Sequence, residues 1–371
     1  MSKKNKNAKK KKNKVNVGTV FAGIILGLII VLSIILVSLL SKMSLLNEEE
    51  STGGSGEFVE VTEAGEEMHF DTLKELRGDN NLSAILKSWA ENTTENSLMK
   101  SKNVINFLLV GLDDSNNNSD AIIIASLNKE TKKIHLTSVF RDSYTYIKTD
   151  GGGTYAKINS CFANGGASKL IETIENNFKI KIDYYVSVNF DSFSSIVDTL
   201  GGITLDVQPY EAAAVGLGCP SGEDVLLNGE QALKFCRIRY CDVDADVSRT
   251  RRQRQFINAL IDEAKNISIT QISPLLNTVI KYIKTDCSVS DIISFGTQAI
   301  TNKWYNFEIV SSAVPSEDHR MDFNGSAWVW IVDYPASAKA LQETIYGTSN
   351  IELKADRISA IDIVRNSGNI G

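Results

Sequence analysis

Arginine is concentrated in one short stretch of this chain. Six arginines lie within the twenty residues from Cys236 to Gln255, although the 371-residue chain carries a formal net charge of −6. A guanidinium group binds the oxygens of phosphate or carboxylate in a planar, two-point geometry. The stretch, which contains Arg237, Arg239, Arg249, Arg251, Arg252 and Arg254, therefore predicts an oxyanion site.

Two predicted elements would position these arginines. The alternation from Leu233 to Tyr240 predicts a strand with Arg237 and Arg239 on one face. Ser248 is the expected N-cap of a helix over 249–265, whose one side carries Arg249, Arg252, Gln253 and Phe256. Arginines in the first turns of a helix are unfavourable unless an anion lies between them and the free N–H groups.

A solvated basic face is the alternative interpretation. It does not explain why a strand and a helix N-terminus carry the same charge on either side of one short acidic loop. An anion site explains both.

A second charged group is expected at one edge of a sheet. Apolar runs at Ile105–Leu112, Ala121–Leu127 and Lys133–Phe140 predict three strands covered on both faces. Their short connections favour antiparallel pairing, with a tight turn at 128–131. Three strand ends would then meet at one edge of the sheet: the end of the first, the start of the second and the end of the third. This edge would hold Asp113, Asp114, Asp120, Arg141 and Asp142.

Together these groups favour phosphoryl or phosphodiester transfer. Several arginines imply a multiply charged anion such as a diphosphate, and neighbouring carboxylates suggest Mg²⁺. The chain has no P-loop and no GxGxxG, so a nucleotide substrate is unsupported. A buried salt-bridge network is the alternative, but burying so many unmatched cations is expensive. The predicted cations are Arg141, Lys157, Arg237, Arg239, Arg249 and Arg252, and the acids are Asp113, Asp120 and Asp246.

The N-terminal residues predict a membrane anchor. Residues 1–42 contain nine lysines and no acid, so the rest of the chain carries a formal charge of −15, which argues against a nucleic-acid partner. Residues 17–40 form an uncharged run of 24 residues, enough to span a bilayer. The basic residues before it predict a cytoplasmic N-terminus and an extracytoplasmic domain. A cleaved signal peptide is the alternative, but no small-residue cleavage site follows.

The remaining pattern predicts a layered α/β/α domain with a central mixed sheet, preceded by one transmembrane helix. We expect a basic tail at 1–16, the transmembrane helix at 17–40, a stalk at 41–100 that contains a short helix near 82–90, the folded domain at 101–350 and a loose tail at 351–371. Whether 266–350 is a separate subdomain stays open. Helices are expected at 167–178, 191–200, 228–235, 272–283, 288–301 and 335–347, and further strands at 184–190, 203–207, 307–314 and 327–332.

The cysteines and histidines offer little chemistry. Five cysteines leave at least one unpaired, and Cys219 with Cys241 or Cys287 are candidate disulfides for an exported domain. Cys236 is expected to be a small buried hydrophobic residue. His135 lies in the middle of a predicted strand, so a histidine mechanism is not favoured.

These segments resemble, in order, the signatures of the LytR-CpsA-Psr family of cell-envelope proteins. The resemblance extends over residues 104–265 and is specific, because at least six spaced signatures recur in sequence. The matching segments are Gly111-Leu112-Asp113, Ser119-Asp120-Ala121, Ser138-Val139-Phe140-Arg141-Asp142, Lys157-Ile158-Asn159, Asp183-Tyr184-Tyr185-Val186, Phe193 with Asp198-Thr199-Leu200-Gly201-Gly202, Leu227 through Arg239, and Asp246 with Arg249 and Arg252-Gln253.

The resemblance implies a Mg²⁺-dependent phosphotransferase anchored in the membrane. Such an enzyme moves a glycopolymer, a teichoic acid or a capsule-like polysaccharide, from a polyprenyl diphosphate carrier to peptidoglycan. By motif match, Asp113 and Asp120 would hold the metal, and Asp142 or Asp120 would be the base. The prenyl tail would lie in an apolar channel, which the helices 167–178 and 191–200 and residues such as Phe256 and Leu260 could line. The same apolar stripes are equally typical of core helices. The diphosphate would be held by Arg141, Lys157, Arg237, Arg239, Arg249 and Gln253.

Two positions depart from the family pattern. The loop 114–118 carries no arginine, and Phe140 stands where the Ser-Ile-Pro-Arg-Asp signature has proline. Two rival functions remain open: a pyrophosphatase of prenyl diphosphates, and a polyanion-binding or regulatory wall protein without catalysis.

Overall fold

A six-stranded mixed sheet forms the centre of the molecule. The computed structural model of the chain describes residues 59–61, 67–69, 80–112, 118–238, 245–264, 283–288, 291, 294–295, 298–299, 301–324 and 328–366. The strands of the sheet are β3 (Val104–Leu112), β4 (Ser119–Asn128), β5 (Lys133–Val139), β8 (Tyr184–Asn189), β11 (Lys284–Thr285) and β12 (Glu308–Val314). Their order across the sheet is β11-β8-β3-β4-β5-β12.

The three central strands pair as the sequence predicts. β4 is antiparallel to both β3 and β5, and the tight turn at 129–132 joins β4 to β5. β8 lies parallel to β3, and β12 lies parallel to β5. Because β12 is the edge strand of this sheet, the segment after residue 300 belongs to the same sheet as β3–β5.

Four antiparallel ribbons and eight helices complete the described part of the chain. The other strands are β1 (Val59–Val61), β2 (Glu67–His69), β6 (Tyr144–Ile147), β7 (Thr154–Lys157), β9 (Ile203–Val207), β10 (Gly222–Leu227), β13 (Arg320–Asn324) and β14 (Trp328–Val332). The helices are α1 (Asn80–Glu91), α2 (Gly166–Phe178), α3 (Phe190–Leu200), α4 (Pro209–Val215), α5 (Gly229–Arg237), α6 (Ala245–Ala264), α7 (Tyr334–Tyr346) and α8 (Ala360–Asn366). No helix in these described segments is long and apolar enough to cross a membrane, and the predicted span at 17–40 lies outside them.

The main hydrophobic core covers one face of the central sheet. Leu108, Ile122 and Ile124 of the sheet pack with apolar side chains of α1, α2, α7 and α8. Ile105 and Leu127 point to the opposite face and pack with Phe295, Ala299 and Trp304. The sheet is therefore covered on both faces, which is why its central strands are continuous apolar runs.

Two segments predicted to lie outside the folded domain are part of it. Leu82 and Leu86 of α1 are buried in the main core, so the residues from 80 onward are not stalk. Ile361 and Val364 of α8 are buried in the same core, so the tail predicted at 351–371 contains a packed helix. Both predictions were wrong because the apolar faces of these short helices had no assigned partner in the sequence.

A second hydrophobic core joins α3, α4, α5, α6 and the β9–β10 ribbon. Gly229 lets α5 approach α3, since a Cβ at this position would lie 2.2 Å from the main-chain oxygen of Ser194. The main-chain N–H of Gly229 donates to Oδ1 of Asp198 at 2.7 Å. The Leu-Asn-Gly signature thus has a packing role.

The strand predicted from Leu233 to Tyr240 is wrong over its first half. Asn228 and Gln231 form a capping box that starts α5, and the helix continues through Arg237. The helical spacing of the buried residues Ala232, Phe235 and Cys236 outweighs the short alternation that suggested a strand. Arg237 is therefore on a helix, and Arg239 and Tyr240 lie outside the described residues.

Ser248 is not the N-cap of the arginine helix. α6 includes residues from Ala245 onward, so Ser248 is the fourth residue of the helix and is buried. Arg249 consequently lies in the second turn, where the helix dipole opposes a positive charge less strongly. The predicted helix itself is confirmed, with its beginning moved toward the N-terminus.

The cysteines form no disulfide among the described residues. Cys161, Cys219, Cys236 and Cys287 are free, so the pairing of Cys219 with Cys287 is wrong, and Cys241 lies outside the described residues. Cys236 is buried on α5 rather than on a strand, and burial raises the pKa of its thiol. A raised pKa keeps the thiol protonated and unreactive.

Candidate functional site

The predicted charged edge of the sheet is present, and strand register explains it. Ile123 of β4 lies opposite Ser138 of β5. Continuing this antiparallel register by three residues brings Asp120 opposite Arg141. Nη1 of Arg141 donates to Oδ1 of Asp120, and both side chains are buried.

The β6–β7 ribbon adds a lysine to this pair. Tyr144 lies opposite Lys157, and the main-chain N–H of Ile158 donates to the oxygen of Ser143 at 3.0 Å. Lys157 thereby reaches Asp142, with 3.0 Å between its Nζ and Oδ1 of the carboxylate. Nε of Arg141 lies 3.5 Å from the other carboxylate oxygen of Asp142.

Helix α6 supplies a third cation. Arg249 is buried, and its charge acts on Asp142. Burial alone would raise the pKa of Asp142, but the charges of Lys157, Arg141 and Arg249 together lower it below the ordinary value. Asp142 is therefore held ionised among cations.

These five residues together carry a net positive charge. We call Asp120, Arg141, Asp142, Lys157 and Arg249 the cationic cluster. The side chains of its two acids, of Arg141 and of Lys157 are only 10–13% exposed. Within the cluster, three cations face two carboxylates. Guanidinium and ammonium groups held together in this way can bind the oxygens of an anion.

Arg252 does not belong to the cationic cluster. It is fully buried, and its Nε donates to Oε1 of Glu211 at 2.7 Å while Nη1 donates to the main-chain oxygen of Ile238 at 3.2 Å. The helical spacing from Arg249 placed both residues on one side, but α6 contacts two different parts of the fold along its length. The contacts described for Arg252 are therefore structural, and they do not support its assignment as a site residue.

The other predicted site residues are not brought into the cluster by a described contact. Arg237 is exposed in the last turn of α5, and Gln253 is half-buried on α6. Asp113 and Arg239 lie outside the described residues, and of Asp246 only the main chain is described. The site roles predicted for Arg237, Gln253, Asp113, Arg239 and Asp246 therefore stay predictions.

Two residues near the cluster were missed. Nη1 of Arg254 donates to Oγ of Ser138 at 2.9 Å, which ties α6 to β5 three residues before Arg141. The side-chain oxygen of Asn159 is buried without a hydrogen-bond partner among the described residues. Its main-chain oxygen accepts from Ser119 at 3.2 Å, next to Asp120. Arg254 could not be chosen from helical spacing, whereas Asn159 lay in the Lys-Ile-Asn signature.

The apolar stripes considered for a prenyl channel are largely core. Leu170, Ile174 and Phe178 of α2 are buried in the main core. Phe256 packs on Phe193 with 4.5 Å between ring centroids, inside the second core. These residues of α2 therefore have a core role, the channel stays a prediction, and the side chain of Leu260 lies outside the described residues.

The donor chemistry for a metal is present in part. Among the described residues no group of three or more histidine, cysteine or acidic side chains is gathered in one place. Asp120 and the side-chain oxygen of Asn159 offer the hard oxygen ligands that Mg²⁺ prefers. Leu112, which precedes Asp113 in the chain, pairs with Ser119, which precedes Asp120.

The fold and the cationic cluster define an α/β protein with a buried group of charged side chains at one edge of its central sheet. Residues 70–345 match the LytR_cpsA_psr family. The chain belongs to this family, as the spaced signatures predict.

Two relatives of this chain have names that describe different functions, a transferase and a regulatory protein. The chain is 35% identical over 192 residues to the polyisoprenyl-teichoic acid–peptidoglycan teichoic acid transferase TagU of Bacillus licheniformis, a match covering 50% of this chain and 60% of that protein. It is 32% identical over 204 residues to biofilm regulatory protein A of Streptococcus mutans, covering 49% of this chain and 50% of that protein. The match thus spans about three fifths of the length of the transferase relative and half that of the regulator.

The fold is also shared with a solved structure. The crystal structure of protein gbs0355 from Streptococcus agalactiae superposes with a TM-score of 0.58 at 25% sequence identity. The match covers 73% of this chain and 100% of that chain. The central mixed sheet is therefore a family feature.

Proposed function

We propose that this protein transfers a teichoic acid or a related glycopolymer from a polyprenyl diphosphate carrier to peptidoglycan. The observation that carries the proposal is the convergence of Lys157, Arg141 and Arg249 on Asp142 in a mostly buried site. A diphosphate carries the negative charge that complements this positive cluster. The names of the transferase relatives support the same substrate class.

The chemistry is an exchange of phosphate esters. The oxygen of a peptidoglycan hydroxyl forms a bond to the phosphorus that carries the glycan, and the bond from this phosphorus to the bridging oxygen breaks. Prenyl phosphate leaves with the electron pair, and the proton of the hydroxyl passes through water to the departing phosphate. Charge builds on the phosphate oxygens during this step, so fixed cations that are already in place lower the barrier.

Four residues of the cationic cluster take part in this step, three by binding the substrate and one by positioning. Arg141, Lys157 and Arg249 bind the diphosphate oxygens. Asp142 fixes Lys157 and Arg141 before the substrate arrives, which spares the substrate the cost of ordering them. We assign Asp142 this positioning role rather than that of the base, because its lowered pKa makes it a weak proton acceptor.

Mg²⁺ is the cofactor that suits this donor set. Asp120 and Asp113 would hold it, and the side-chain oxygen of Asn159 is a further donor of the preferred type. A bound Mg²⁺ supplies further neutralisation of phosphate charge. The membrane anchor at 17–40 would keep the domain on the extracytoplasmic face, where a lipid-linked substrate lies in the bilayer.

Product analysis tests the proposed function against its two rivals. The full-length chain in detergent is incubated with a short prenyl-diphosphate glycan and peptidoglycan fragments, with Mg²⁺ or with a chelator. Mass spectrometry then follows prenyl phosphate and the glycan–peptidoglycan product. Mg²⁺-dependent formation of both is the expected result.

Two other results would contradict the proposal. Release of prenyl phosphate together with free glycan phosphate, in the presence of acceptor, identifies a pyrophosphatase. Tight binding of the carrier without cleavage identifies a binding protein without catalytic activity.

A further inference from the structure

A tight turn over residues 140–143 carries two members of the cationic cluster, Arg141 and Asp142. The main-chain oxygen of Phe140 accepts from the N–H of Ser143 at 3.2 Å and from its Oγ at 2.7 Å. The main-chain oxygen of Arg141 accepts from the N–H of Asn159 at 3.2 Å. The directions of the two charged side chains therefore depend on how firmly this turn is held.

Two neighbouring strands hold the turn from its other side. The main-chain N–H of Phe140 donates to the oxygen of Val314, the last residue of β12, at 3.0 Å. The main-chain oxygen of Asp142 accepts from the N–H of Trp330 in β14 at 3.0 Å, and Ser143 forms a bridge with Trp330. Phe140 stands where the family signature has proline, which has no N–H and could not donate to Val314. The hydrogen bond to β12 is therefore specific to this departure.

The ring of Phe140 packs with Trp330 and with Arg320, the first residue of β13. Phe140 is fully buried, and its ring centroid lies 5.9 Å from that of Trp330. The guanidinium carbon of Arg320 lies 4.7 Å from each of the two ring centroids. A planar guanidinium stacks on aromatic rings and is attracted by their electron-rich faces, the more so when water is excluded. Arg320 thus binds the two rings together.

Arg320 is itself held in place beside the turn. Its side chain is only 9% exposed, and its Nη1 donates to the main-chain oxygen of Pro315 at 2.9 Å. Its Nη2 also lies 3.8 Å from Oε1 of Glu317, but the side chain of Glu317 is 88% exposed, so this ion pair contributes little. Pro315 directly follows Val314, so the same part of the chain binds both the guanidinium and the turn.

We propose that Arg320 is a positioning residue for the transfer reaction. It holds Phe140 against Trp330, and this packing fixes the turn that presents Arg141 and Asp142 to the diphosphate. A displacement of about 1 Å in a group that contacts the reacting atoms can cost about 100-fold in rate. The inference rests on the proposed function, because that function gives Arg141 its role. Arg320 lies beyond the matched signatures at 104–265, so no motif points to it.

Three substitutions test this role in the full-length chain in detergent. Arg320→Lys keeps the charge but removes the planar group that stacks on both rings, and Arg320→Met removes the charge as well. Phe140→Leu removes the ring that connects Arg320 to the turn. The matched control is Lys179→Met, which removes another cation from an aromatic ring, since Nζ of Lys179 lies 4.6 Å from the centroid of the Trp89 ring.

The first measurement is release of prenyl phosphate per folded molecule, with Mg²⁺ and acceptor at saturation and the carrier varied. We expect Arg320→Lys, Arg320→Met and Phe140→Leu each to lower kcat about tenfold, with the KM for the carrier within about threefold of the wild type. This pattern is expected because a displaced Arg141 loses most where charge builds in the transition state. Lys179→Met should keep the wild-type kcat.

A double variant shows whether Arg320 acts through Phe140. Because both single substitutions remove the same packing, Arg320→Lys with Phe140→Leu should lose about tenfold in kcat, as each single variant does. Independent contributions would multiply to about 100-fold. A residue that only stabilises the fold would lower the folded fraction and leave kcat per folded molecule unchanged.

A second measurement needs no turnover. Hydrogen exchange followed by mass spectrometry reports on the amides of Ser143 and Trp330, whose N–H groups bond to the turn. Exchange in the peptides that contain them should be at least about threefold faster in Arg320→Lys than in the wild type or in Lys179→Met.

Several results would overturn the inference. These are wild-type kcat in Arg320→Lys, a loss confined to Arg320→Met, a loss of about 100-fold in the double variant, or unchanged exchange in Arg320→Lys. Prenyl phosphate is released in both transfer and hydrolysis, so the test also applies if the protein is a pyrophosphatase. A wild-type chain that releases none contradicts the proposed function, and exchange alone then decides whether Arg320 holds the turn.

Discussion

Lys157 and Asp142 form an almost completely buried ion pair, with 3.0 Å between Nζ and Oδ1. The two residues lie together at the open end of one hairpin, because the β6–β7 register pairs Lys157 with Tyr144. Arg141 shares the same carboxylate at 3.5 Å. Asp142 is thus the residue on which two of the cluster's cations depend.

Replacing this carboxylate should disorganise the site. We expect Asp142→Asn to lower kcat/KM by about 100-fold, because Lys157 and Arg141 lose the group that orients them. The free energy of unfolding should fall by about 3–5 kcal/mol, since two buried cations lose a partner. Urea unfolding measures the second effect, and turnover per folded molecule measures the first.

The loss of stability caused by Asp142→Asn should depend on pH in the acid range. The pKa of Asp142 is lowered from 3.8 in the folded protein, so its ionised form contributes stability above that value. This contribution is lost as the pH falls below 3.8 and through the folded pKa. The stability difference between the wild-type chain and Asp142→Asn should therefore shrink in that range. A difference that is independent of pH would contradict the assignment.

Arg252 is predicted to act on stability and not on catalysis. Arg252→Met leaves Glu211 buried without its cation and should cost about 3–5 kcal/mol. Glu211 also accepts from the main-chain N–H of Gln208 at 3.0 Å. The double variant Arg252→Met, Glu211→Gln removes both charges, and the amide oxygen introduced at position 211 can still accept this capping bond.

We expect the double variant to recover most of the lost stability and to turn over within a few-fold of the wild-type rate. A loss of turnover as large as that of Asp142→Asn, in a folded double variant, would return Arg252 to the site. Thermal unfolding and steady-state kinetics on the same preparations distinguish the two outcomes.

Lys179 should make stability rise with pH. Its Nζ donates to the main-chain oxygen of Trp89 at 2.6 Å and lies 4.6 Å from the centroid of the Trp89 ring. Burial lowers the pKa of Lys179 to about 8. Between about pH 8 and the unfolded value of 10.5, the unfolded chain binds more protons than the folded one, so this group adds stability as the pH increases.

The matched variant is Lys179→Met, which keeps a long side chain without a titrating group. The difference in unfolding free energy between wild type and variant should shift in favour of the wild type from about pH 8 to 10.5. Chemical denaturation near the two ends of this range measures it, and a constant difference would show that Lys179 stays charged in the folded protein.

The sequence predicts the charged edge of the sheet well, because strands joined by short connections pair with their neighbours in the chain. Three apolar runs with short connections leave few ways to pair, so the meeting of Asp120 with Arg141 follows from antiparallel topology. The spaced signatures also predict the family correctly. The Lys-Ile-Asn signature predicts Lys157 as a site residue without knowledge of its hairpin partner.

Helical spacing is less reliable where one helix contacts more than one part of the fold. Arg249 and Arg252 share a side of α6, yet one acts on Asp142 and the other pairs with Glu211. Glu211 lies 41 residues earlier, on a short helix whose position depends on tertiary packing. No pattern within residues 236–255 could reveal that partner.

Short amphipathic helices are also difficult to place from sequence. Polar residues dominate the segments around α1 and α8, so their composition predicts a stalk and a tail. Their few apolar side chains pack in the main core, and such tertiary contacts decide the state of segments too short to be stable alone.

The central claim is that the cationic cluster binds the diphosphate, and two arginines of one helix test it most directly. Arg249 is buried beside Asp142, whereas Arg251, two residues further on α6, is exposed. Each is replaced by glutamine in the full-length chain, and release of prenyl phosphate is measured with saturating Mg²⁺ and acceptor. The account predicts that Arg249→Gln lowers kcat/KM by about 100-fold while Arg251→Gln changes it by less than about threefold. Equal effects of the two substitutions, or full activity of Arg249→Gln, would contradict it.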